Sequence, residues 1–238
     1  MAMWLQDVSL KSPFRPAVDT PSSTLQRSIE DGVRAFLRGH VSGLRDYALA
    51  IDGARIVPRL TTGEATKPRN GHFNRPDVVL RDNLSGGRCW TIPESRGQVG
   101  ISVSRLIFPS HITVNHVPPE AAEDIQQAPR HMRFWGSVDG SQNSDRYKEY
   151  FARYSNSIPT PSRAPNITNG YNFVHLGDFE YDVNATWHIQ TFPVHDHILP
   201  LQMDFGVFVI EILDNWGSPT TCLYRFRIHG RASFKDEL

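Results

Sequence analysis

The sequence predicts a mainly β fold, an antiparallel β-sandwich preceded by one or two short α-helices. From residue 54 onward, apolar side chains recur with the period of two that is typical of strands. Turn-forming clusters such as Ser85-Gly86-Gly87, Pro118-Pro119 and Asp139-Gly140 separate several of these segments, as expected for a sandwich. The candidate strands cover residues 54–57, 77–81, 88–92, 98–104, 110–117, 131–137, 171–182, 186–193, 204–213 and 221–229.

A helical period of 3.6 residues is confined to the region before residue 54. A capping box formed by Ser23 and Gln26 begins the first predicted helix, over residues 23–38. A second short helix is predicted over residues 41–51, ending at Asp52-Gly53. The apolar stripes of these helices are Leu25, Ile29, Val33 and Phe36, followed by Val41, Leu44, Tyr47, Ala48 and Ile51.

Four segments follow from these patterns. Residues 138–170 are polar and contain three prolines, so we interpret them as an inserted surface loop with at most one or two helical turns at Tyr147 to Tyr154. The predicted segments are a linker or cloning remnant (1–21), a helical extension that could end a coiled coil (22–53), the β domain with its insert (54–230) and a C-terminal tail (231–238).

The last candidate strand alternates so regularly that we predict it to be half-buried. Its two faces would carry Cys222, Tyr224, Phe226 and Ile228 on one side, and Leu223, Arg225, Arg227 and His229 on the other. Because frayed termini seldom bury an apolar face, we expect this strand to be docked in a sheet.

Composition and short motifs exclude some classes of partner and suggest a compartment. The 25 Lys and Arg residues balance the 25 Asp and Glu residues, which removes the electrostatic argument for a nucleic-acid or anionic-membrane partner. No apolar run reaches the length of a membrane span, so we expect the chain as given to be soluble. Three N-x-S/T sequons and the ending Lys235-Asp236-Glu237-Leu238 hint at a lumenal compartment.

Two patterns could carry chemistry, and neither is diagnostic. His195-Asp196-His197, with His188 nearby in sequence, could belong to a zinc or copper site, although no third ligand occurs at a typical spacing. Asp178 and Glu180 could act as a glycosidase acid pair, but exposed strands carry such pairs routinely. With no nucleophile elbow or phosphate-binding loop, we do not expect an enzyme.

Several segments, in order, resemble the SUN domain, the lumenal module of inner-nuclear-membrane proteins that bind KASH peptides. "NWGSPTTCLYRFRIHG" (215–230) looks like its closing motif, and "PDVVLRDNLSGGRCW" (76–90) looks like its cation loop. Further similar segments are "LRDYALAIDGARIV" (44–57), "ITVNHVPPEAA" (112–122) and "QAPRHMRFWG" (127–136). The resemblance implies a jelly-roll-like sandwich.

The resemblance also implies particular roles for individual residues. Cys89 and Cys222 match the two cysteines that the family joins in a disulfide. A monovalent cation, expected to be potassium, would bind backbone carbonyls at Val78, Arg81, Asn83, Arg88 and Tyr224. The terminal carboxylate of a KASH peptide would enter a pocket at His116, Gln127, Thr220 and Tyr224, where Gln127 and Thr220 replace the family's usual serine and tyrosine.

The implied assembly is a LINC complex that bridges the inner and outer nuclear membranes, with this domain in the perinuclear space. Family members are trimers, and Gly97 matches a position near their trimer contact, although a monomer stays open for this chain. Thr61 stands where animal members carry a cysteine that links to the peptide, and the lid at 63–75 is short. These departures favour a fungal-type member.

A second class stays open, a secreted or lumenal carbohydrate-binding β-sandwich, because the SUN fold is similar to jelly-roll lectin folds. In that case Trp135 or Trp187 would be exposed to stack on a sugar.

Overall fold

The computed structural model describes residues 26–28, 44–63, 74–82, 88–154 and 164–233. The chain divides into two compact units, Met1–Ser42 and Gly43–Leu238. In the first unit only residues 26–28 are described, and they are helical, whereas the rest of the predicted helix over 23–38 and the linker over 1–21 lie outside the described residues. The second unit contains the β domain.

Antiparallel strands dominate the second unit, which confirms the predicted mainly β fold. One α-helix, α1, spans Ser141–Tyr154, and short 3-10 helices connect several of the strands. The strands are β1 (Arg55–Ile56), β2 (Trp90–Ile92), β3 (Gly97–Asn115), β4 (His131–Ser137), β5 (Phe173–Glu180), β6 (Ile189–Pro193), β7 (Phe205–Ile212), β8 (Thr221–Leu223) and β9 (Arg225–Ala232).

The 19-residue strand β3 joins the two layers of the sandwich. Its first part, residues 97–102, pairs with β1 and β7, and the layer continues from β7 to β4 and β5. Its second part, residues 107–115, pairs with β6 and β9. The register with β7 shifts between Ser102 and Ile107, the kind of irregularity by which a strand turns a corner between layers. The two strands predicted at 98–104 and 110–117 are therefore one.

The largest apolar cluster of the described residues lies between the two layers. Strands β3, β4, β7 and β9 all contribute side chains that are almost fully buried, each of which stabilises the fold by roughly 1.5 to 3 kcal/mol. Examples from these strands are Ile101, Ile112, Phe134, Phe208, Ile210, Phe226 and Ile228. β2 and β8 form a separate two-stranded ladder.

Two local predictions before β2 are wrong. Residues Pro76–Leu80, predicted as a strand over 77–81, form a 3-10 helix, because Pro76 presets a helical φ at the first position where no N–H is needed. Residues 44–49 are not helical, and only Ala50–Asp52 forms a short 3-10 turn. Ile51 is 88% exposed, so the proposed apolar stripe does not form one buried face.

The segment before β1 instead lies along the last strand. The Tyr47 N–H donates to the Ile228 carbonyl at 2.8 Å, and Asp46 forms a β-bridge with His229. The Asp46 carboxylate also accepts from the Ala48 N–H at 2.8 Å. These contacts extend the β layer, so residues 44–53 belong to the domain and not to a helical extension.

The last strand is buried on both faces, so the prediction of a half-buried strand is wrong. The alternation breaks at Tyr224, which lies between β8 and β9. As a result, Leu223 packs in the main core with Phe226 and Ile228, whereas Cys222 and Tyr224 belong to a separate cluster. The strand also continues past Gly230 to Ala232, so the predicted tail begins later than residue 231.

Arg225 explains why the second face of this strand is buried. Its side chain has no exposed surface and forms an ion pair with the Asp46 carboxylate. Its guanidinium also donates to the carbonyls of Ala48 at 3.2 Å and Val79 at 3.0 Å, and Nε lies 3.5 Å from the Asp82 carboxylate. Burial lowers the pKa of Arg225, while Asp46 and Asp82 act in the opposite direction. One buried charge thus connects three segments distant in sequence.

The insert at 138–170 contains a 14-residue helix, so the prediction of a loop with one or two turns is wrong for residues 141–154. Helix α1 is anchored by Asn143, whose buried amide donates to the carbonyl and the carboxylate of Asp204 at 2.6 and 3.0 Å. The Tyr150 hydroxyl lies 3.4 Å from Nε2 of His197. These polar contacts, together with Tyr147, which packs against the main core, dock the helix on the domain.

The end of the insert is docked as well. The Ile167 N–H donates to Oε1 of Gln98 at 2.8 Å, and the Gln98 amide donates back to the Ile167 carbonyl at 3.0 Å. Glu211 accepts from the Asn166 N–H at 3.2 Å and from Trp135 Nε1 at 3.1 Å. Residues 164–170 therefore cover the outer face of the sheet.

Substituting Asp46→Ala tests the Arg225 connection. The change leaves a buried guanidinium without its main counter-charge, so we expect the free energy of unfolding to fall by about 3 to 5 kcal/mol. Chemical denaturation of the oxidised protein measures this loss. Asp52→Ala is the matched control, because its ion pair with Arg45 is exposed at 3.9 Å and should contribute less than about 1 kcal/mol. Equal losses in the two variants would contradict the interpretation.

Candidate functional site

A disulfide joins Cys89 and Cys222, as the resemblance implied. The two residues are 133 positions apart in sequence, and their Cα atoms lie 5.4 Å apart, in the usual range for a disulfide. Both cysteines are buried in a small cluster with Val117 and Tyr224, packed against Ala122. The bridge fixes the end of the segment 76–90 against the ladder of β2 and β8.

His116 and Tyr224 meet beside this disulfide. Their ring centroids are 4.8 Å apart in an edge-to-face arrangement, and Tyr181 lies on another side of His116 at 5.9 Å. His116 follows β3 and is only 2% exposed. Its position at the end of the longest strand holds the imidazole against the break between β8 and β9.

The hydrogen bonds of His116 define its tautomer. Nδ1 lies 3.0 Å from the Val117 carbonyl, which can only accept, so Nδ1 carries the proton. Nε2 is then an acceptor, and it is buried without a hydrogen-bond partner among the described residues. Burial is the main cause that lowers the pKa of His116, and His188 adds to the effect, whereas the bond to Val117 opposes it. The lowered pKa favours the neutral imidazole, in which Nε2 is a hydrogen-bond acceptor.

Gln127 and Thr220 form a second pair. The Gln127 amide donates to Oγ1 of Thr220 at 3.0 Å. Gln127 ends a 3-10 helix that the Asp124 side chain caps at the Gln126 N–H, and Thr220 lies two residues before Cys222. The four predicted pocket residues thus form two contacting pairs, and each pair has one member, Tyr224 or Thr220, that is two residues from Cys222 in sequence.

A recess of about 370 Å³ lies beside Val117, the residue that follows His116. It is lined by Val117, Pro118 and Ile125 on one side, and by Tyr181 and His188 on the other. The Tyr181 hydroxyl donates to the His188 carbonyl at 2.9 Å, which connects the two residues of the second wall. Burial raises the pKa of Tyr181, so the phenol stays protonated.

The predicted cation ligands are described in part. Val78 lies in the 3-10 helix, where its carbonyl accepts from the Arg81 N–H at 3.0 Å. Arg81 and Arg88 have exposed side chains, and Arg81 pairs with Asp77. Asn83 lies outside the described residues. The Arg225 bond to Val79 and the disulfide at Cys89 fix both ends of this segment.

Gly97 and Thr61 have packing roles within the chain. A Cβ on Gly97 would lie 3.0 Å from Ile92 and from Thr62, so a side chain does not fit there without shifting these neighbours. The Thr61 hydroxyl donates to the Val57 carbonyl at 2.8 Å and accepts from the Gly100 N–H at 3.1 Å. The trimer contact at Gly97 stays a prediction, and residues 64–73 of the predicted lid lie outside the described residues.

The patterns considered for other chemistry are placed differently. Asp178 and Glu180 both face solvent, and each pairs with an arginine, Arg133 and Arg130 respectively, so neither carboxylate has the apolar surroundings of a glycosidase acid. Trp135 is buried, which excludes it as a sugar-stacking platform, whereas Trp187 is 44% exposed.

Of the His195-Asp196-His197 motif, only His195 joins a group of potential metal ligands in the described part of the chain. Its partners there are His175 and Asp178, both on β5. The His188 side chain does not belong to this group.

Sequence reasoning missed Arg225 and Asn115. Strand alternation predicts that Arg225 faces solvent, because it gives no sign of a partner 179 residues away. Asn115 is buried at the end of β3, and both polar atoms of its amide have no hydrogen-bond partner among the described residues. No distinct signal for Asn115 was available in the sequence, because β3 carries several other polar residues, among them Gln98, Ser110 and Thr113.

The fold and site define a disulfide-bridged β-sandwich domain with a polar, aromatic recess beside the bridge. The family model described as Sad1 / UNC-like C-terminal matches residues 69–156 and 163–232, well over half of the chain. The chain therefore belongs to this family, the SUN-domain family, and the resemblance seen in its motifs is confirmed.

Curated relatives agree with this assignment. SUN domain-containing protein 3 of Bos taurus is 29% identical over 202 residues, 79% of this chain and 47% of that protein. Sperm-associated antigen 4 protein of Mus musculus is 32% identical over 78% of this chain and 37% of that protein. Klaroid protein of Drosophila melanogaster is 27% identical over 86% of this chain and 19% of that protein. The chain thus spans about half the length of the bovine relative and a smaller share of the other two proteins.

Among solved structures, the family 32 carbohydrate-binding module from Streptococcus pneumoniae EndoD is similar at 9% identity. The match covers 79% of this chain and all of that module, with a TM-score of 0.49, too low to support a functional comparison. No helix in the described part of the chain has the length and apolar character needed to span a membrane.

Removing the disulfide should destabilise the domain strongly. Closing a loop of 133 residues restricts the unfolded chain, so we expect Cys89→Ser with Cys222→Ser to lower the free energy of unfolding by about 4 to 5 kcal/mol. Denaturation with and without reductant measures the effect, and the double variant should be insensitive to reductant. Unchanged stability of the wild-type protein after full reduction would contradict the prediction.

Proposed function

We propose that this chain is a SUN domain that binds the C-terminal peptide of a KASH protein. Membership of the SUN family supports this role. The observation that carries it is Nε2 of His116, buried beside Tyr224 and the disulfide with no hydrogen-bond partner among the residues that the structure describes. In this role the domain lies in the perinuclear space and contributes to a LINC complex that connects the inner and outer nuclear membranes. It acts as a binding module and not as an enzyme.

The pocket chemistry suits a terminal carboxylate. The Tyr224 hydroxyl, the Gln127 amide and the Thr220 hydroxyl are groups that can donate hydrogen bonds. His116 becomes a further donor when Nε2 is protonated, and a bound carboxylate favours that protonation. An extended peptide would add its backbone to a sheet edge while its end occupies this pocket.

A monovalent cation, expected to be potassium, is part of the proposal. Its ligands would be the backbone carbonyls of Val78, Arg81, Asn83, Arg88 and Tyr224, and such hard oxygen donors suit an alkali cation. When bound, the ion would supply positive charge that orders the loop. The segment is prepared for this role by its two fixed ends, at Val79 and Cys89.

Trimerisation is the proposed assembly state, because three copies would offer three peptide sites that share a mechanical load. The chain as given could also be monomeric, since one helix with few apolar turns is a weak oligomerisation element. Light scattering with and without peptide distinguishes the two states.

Carbohydrate binding is the runner-up. The observation that favours it is the exposed side chain of Trp187, which lies in sequence between two residues that line the recess, Thr186 and His188. A glycan array separates the two classes, because a KASH-binding domain should give no selective glycan signal.

Capture of the carboxylate predicts a strong dependence on the peptide terminus. A KASH C-terminal peptide should bind roughly ten- to a hundredfold more tightly than its C-terminally amidated form, since hydrogen bonds to a charged group contribute about 1.5 to 3 kcal/mol. Calorimetric titration measures both affinities. His116→Gln should reduce the difference between the two peptides, whereas the control His111→Gln, on β3 but outside the pocket, should preserve it. Equal affinities for the two peptides would refute the proposed pocket.

Peptide binding should also take up a proton. In the free domain the pKa of His116 is lowered from its ordinary value of 6.5, and a bound carboxylate raises it. A pKa that rises on binding means that affinity increases as the pH falls. Calorimetry in buffers of different ionisation enthalpy measures the uptake. Its absence would show that His116 does not become the donor.

A further inference from the structure

A β-bulge in β5 brings together side chains that a regular strand would separate. Phe134 on β4 pairs with Gly177, but the next residue, Trp135, pairs with His175. Leu176 is therefore the extra residue of the bulge. Its side chain points into the core, and the chain at Pro193–Val194 passes over Gly177, where a Cβ would lie 3.6 Å from the Pro193 carbonyl.

The bulge places His175 and Asp178 on the same side of the sheet. In a regular strand, residues three apart point to opposite faces, and one extra residue reverses that relation. Nε2 of His175 lies 3.2 Å from Oδ1 of Asp178. Despite this short distance, Nε2 is buried without a hydrogen bond of acceptable geometry among the described residues.

His195 completes the group from another segment. Its backbone N–H donates to the carbonyl of the bulged residue Leu176 at 2.7 Å, which fixes the His195 backbone over the bulge. The His195 ring meets the His175 ring edge-to-face with centroids 5.2 Å apart. Its Nε2 lies 3.8 Å from Oδ2 of Asp178.

We propose that His175, Asp178 and His195 form a binding site for Zn²⁺. One ligand atom from each residue lies within 4.8 Å of the other two. Ligand atoms around a tetrahedral zinc ion are about 3.3 Å apart, so small side-chain rotations suffice to close the site. Two imidazoles and one carboxylate favour zinc over magnesium or calcium, which prefer oxygen ligands.

The surroundings of the site help to hold its ligands. Nε of Arg133 lies 3.2 Å from Oδ1 of Asp178, which leaves Oδ2 directed toward His195. Such outer partners commonly orient ligating carboxylates. The positive charge of Arg133 disfavours a bound cation. The Glu211 carboxylate, which lies 4.0 Å from Nη1 of Arg133, partly offsets that charge. The Trp135 ring packs against His175 with centroids 4.7 Å apart and restricts its rotation.

The consequence would be a metal-dependent connection between β5 and the loop that follows β6. That loop also carries His197, which stacks on His195 at 5.2 Å and contacts Tyr150 of helix α1. Zinc would thus stabilise the docking of the insert. Three protein ligands leave a fourth position for water or for a donor from a bound partner. This site is separate from the peptide pocket and does not depend on the proposed function.

The test uses the full oxidised chain after treatment with a chelator. Titration calorimetry with ZnCl₂ should show one saturable site per chain, and CoCl₂ should give the intense visible d–d bands of tetrahedral Co²⁺. Zinc should also raise the melting temperature, because it binds only the folded chain. MgCl₂ should give no binding signal.

Variants assign the site to its residues. His195→Gln and Asp178→Asn should each weaken zinc binding at least about tenfold, which is the lower range of losses seen for outer-shell residues. The matched controls His111→Gln and Glu180→Gln should bind zinc like the wild type. Melting without zinc shows that each variant is folded, and if one of the two ligand variants does not fold, the other still decides the question. Unchanged zinc affinity in the ligand variants, or no binding by the wild-type chain, would overturn the proposal.

Discussion

The charge of Arg225 inside the domain is the constraint on which the rest of the structure depends. A guanidinium with no exposed surface must be neutralised and hydrogen-bonded, and this requirement recruits Asp46, the Ala48 carbonyl and the Val79 carbonyl. The segment before β1 is therefore held along β9, and the 3-10 helix at Pro76–Leu80 is held beside it. A residue on the last strand thus organises the two parts of the chain that precede β2.

The disulfide fixes the same region of the chain, because Cys222 lies three residues before Arg225. Cys222 fixes the far end of the segment that Arg225 fixes at Val79, and the break at Tyr224 separates the two connections. Because of this break, Tyr224 leaves the main core and faces His116 at the end of β3. The contact between Tyr224 and His116 is thus a consequence of how β8 and β9 are joined.

Irregular positions in the strands determine where several polar side chains of this domain lie. The shift in β3 between Ser102 and Ile107 lets one strand serve both layers and bring His116 to its far end. The bulge at Leu176 turns His175 toward Asp178 and offers its carbonyl to His195. In each case one departure from regular alternation moves a polar side chain to a place that the strand pattern alone would not give it.

The sequence by itself determined the mainly β fold, the bounds of β4 at His131–Ser137 and the family, because periodicity and long motifs are encoded in neighbouring residues. The sequence pattern also predicted a helix at residues 44–49 and a solvent-facing Arg225. Both predictions are wrong, because Asp46 and Arg225 form an ion pair across 179 residues of sequence. The pairing of His116 with Tyr224 was implied only by resemblance. Tertiary structure alone decided the burial of the last strand, the docking of the insert and the meeting of His175 with His195. These contacts join distant segments, and local periodicity carries no information about which distant residues will neutralise a charge or fill a bulge.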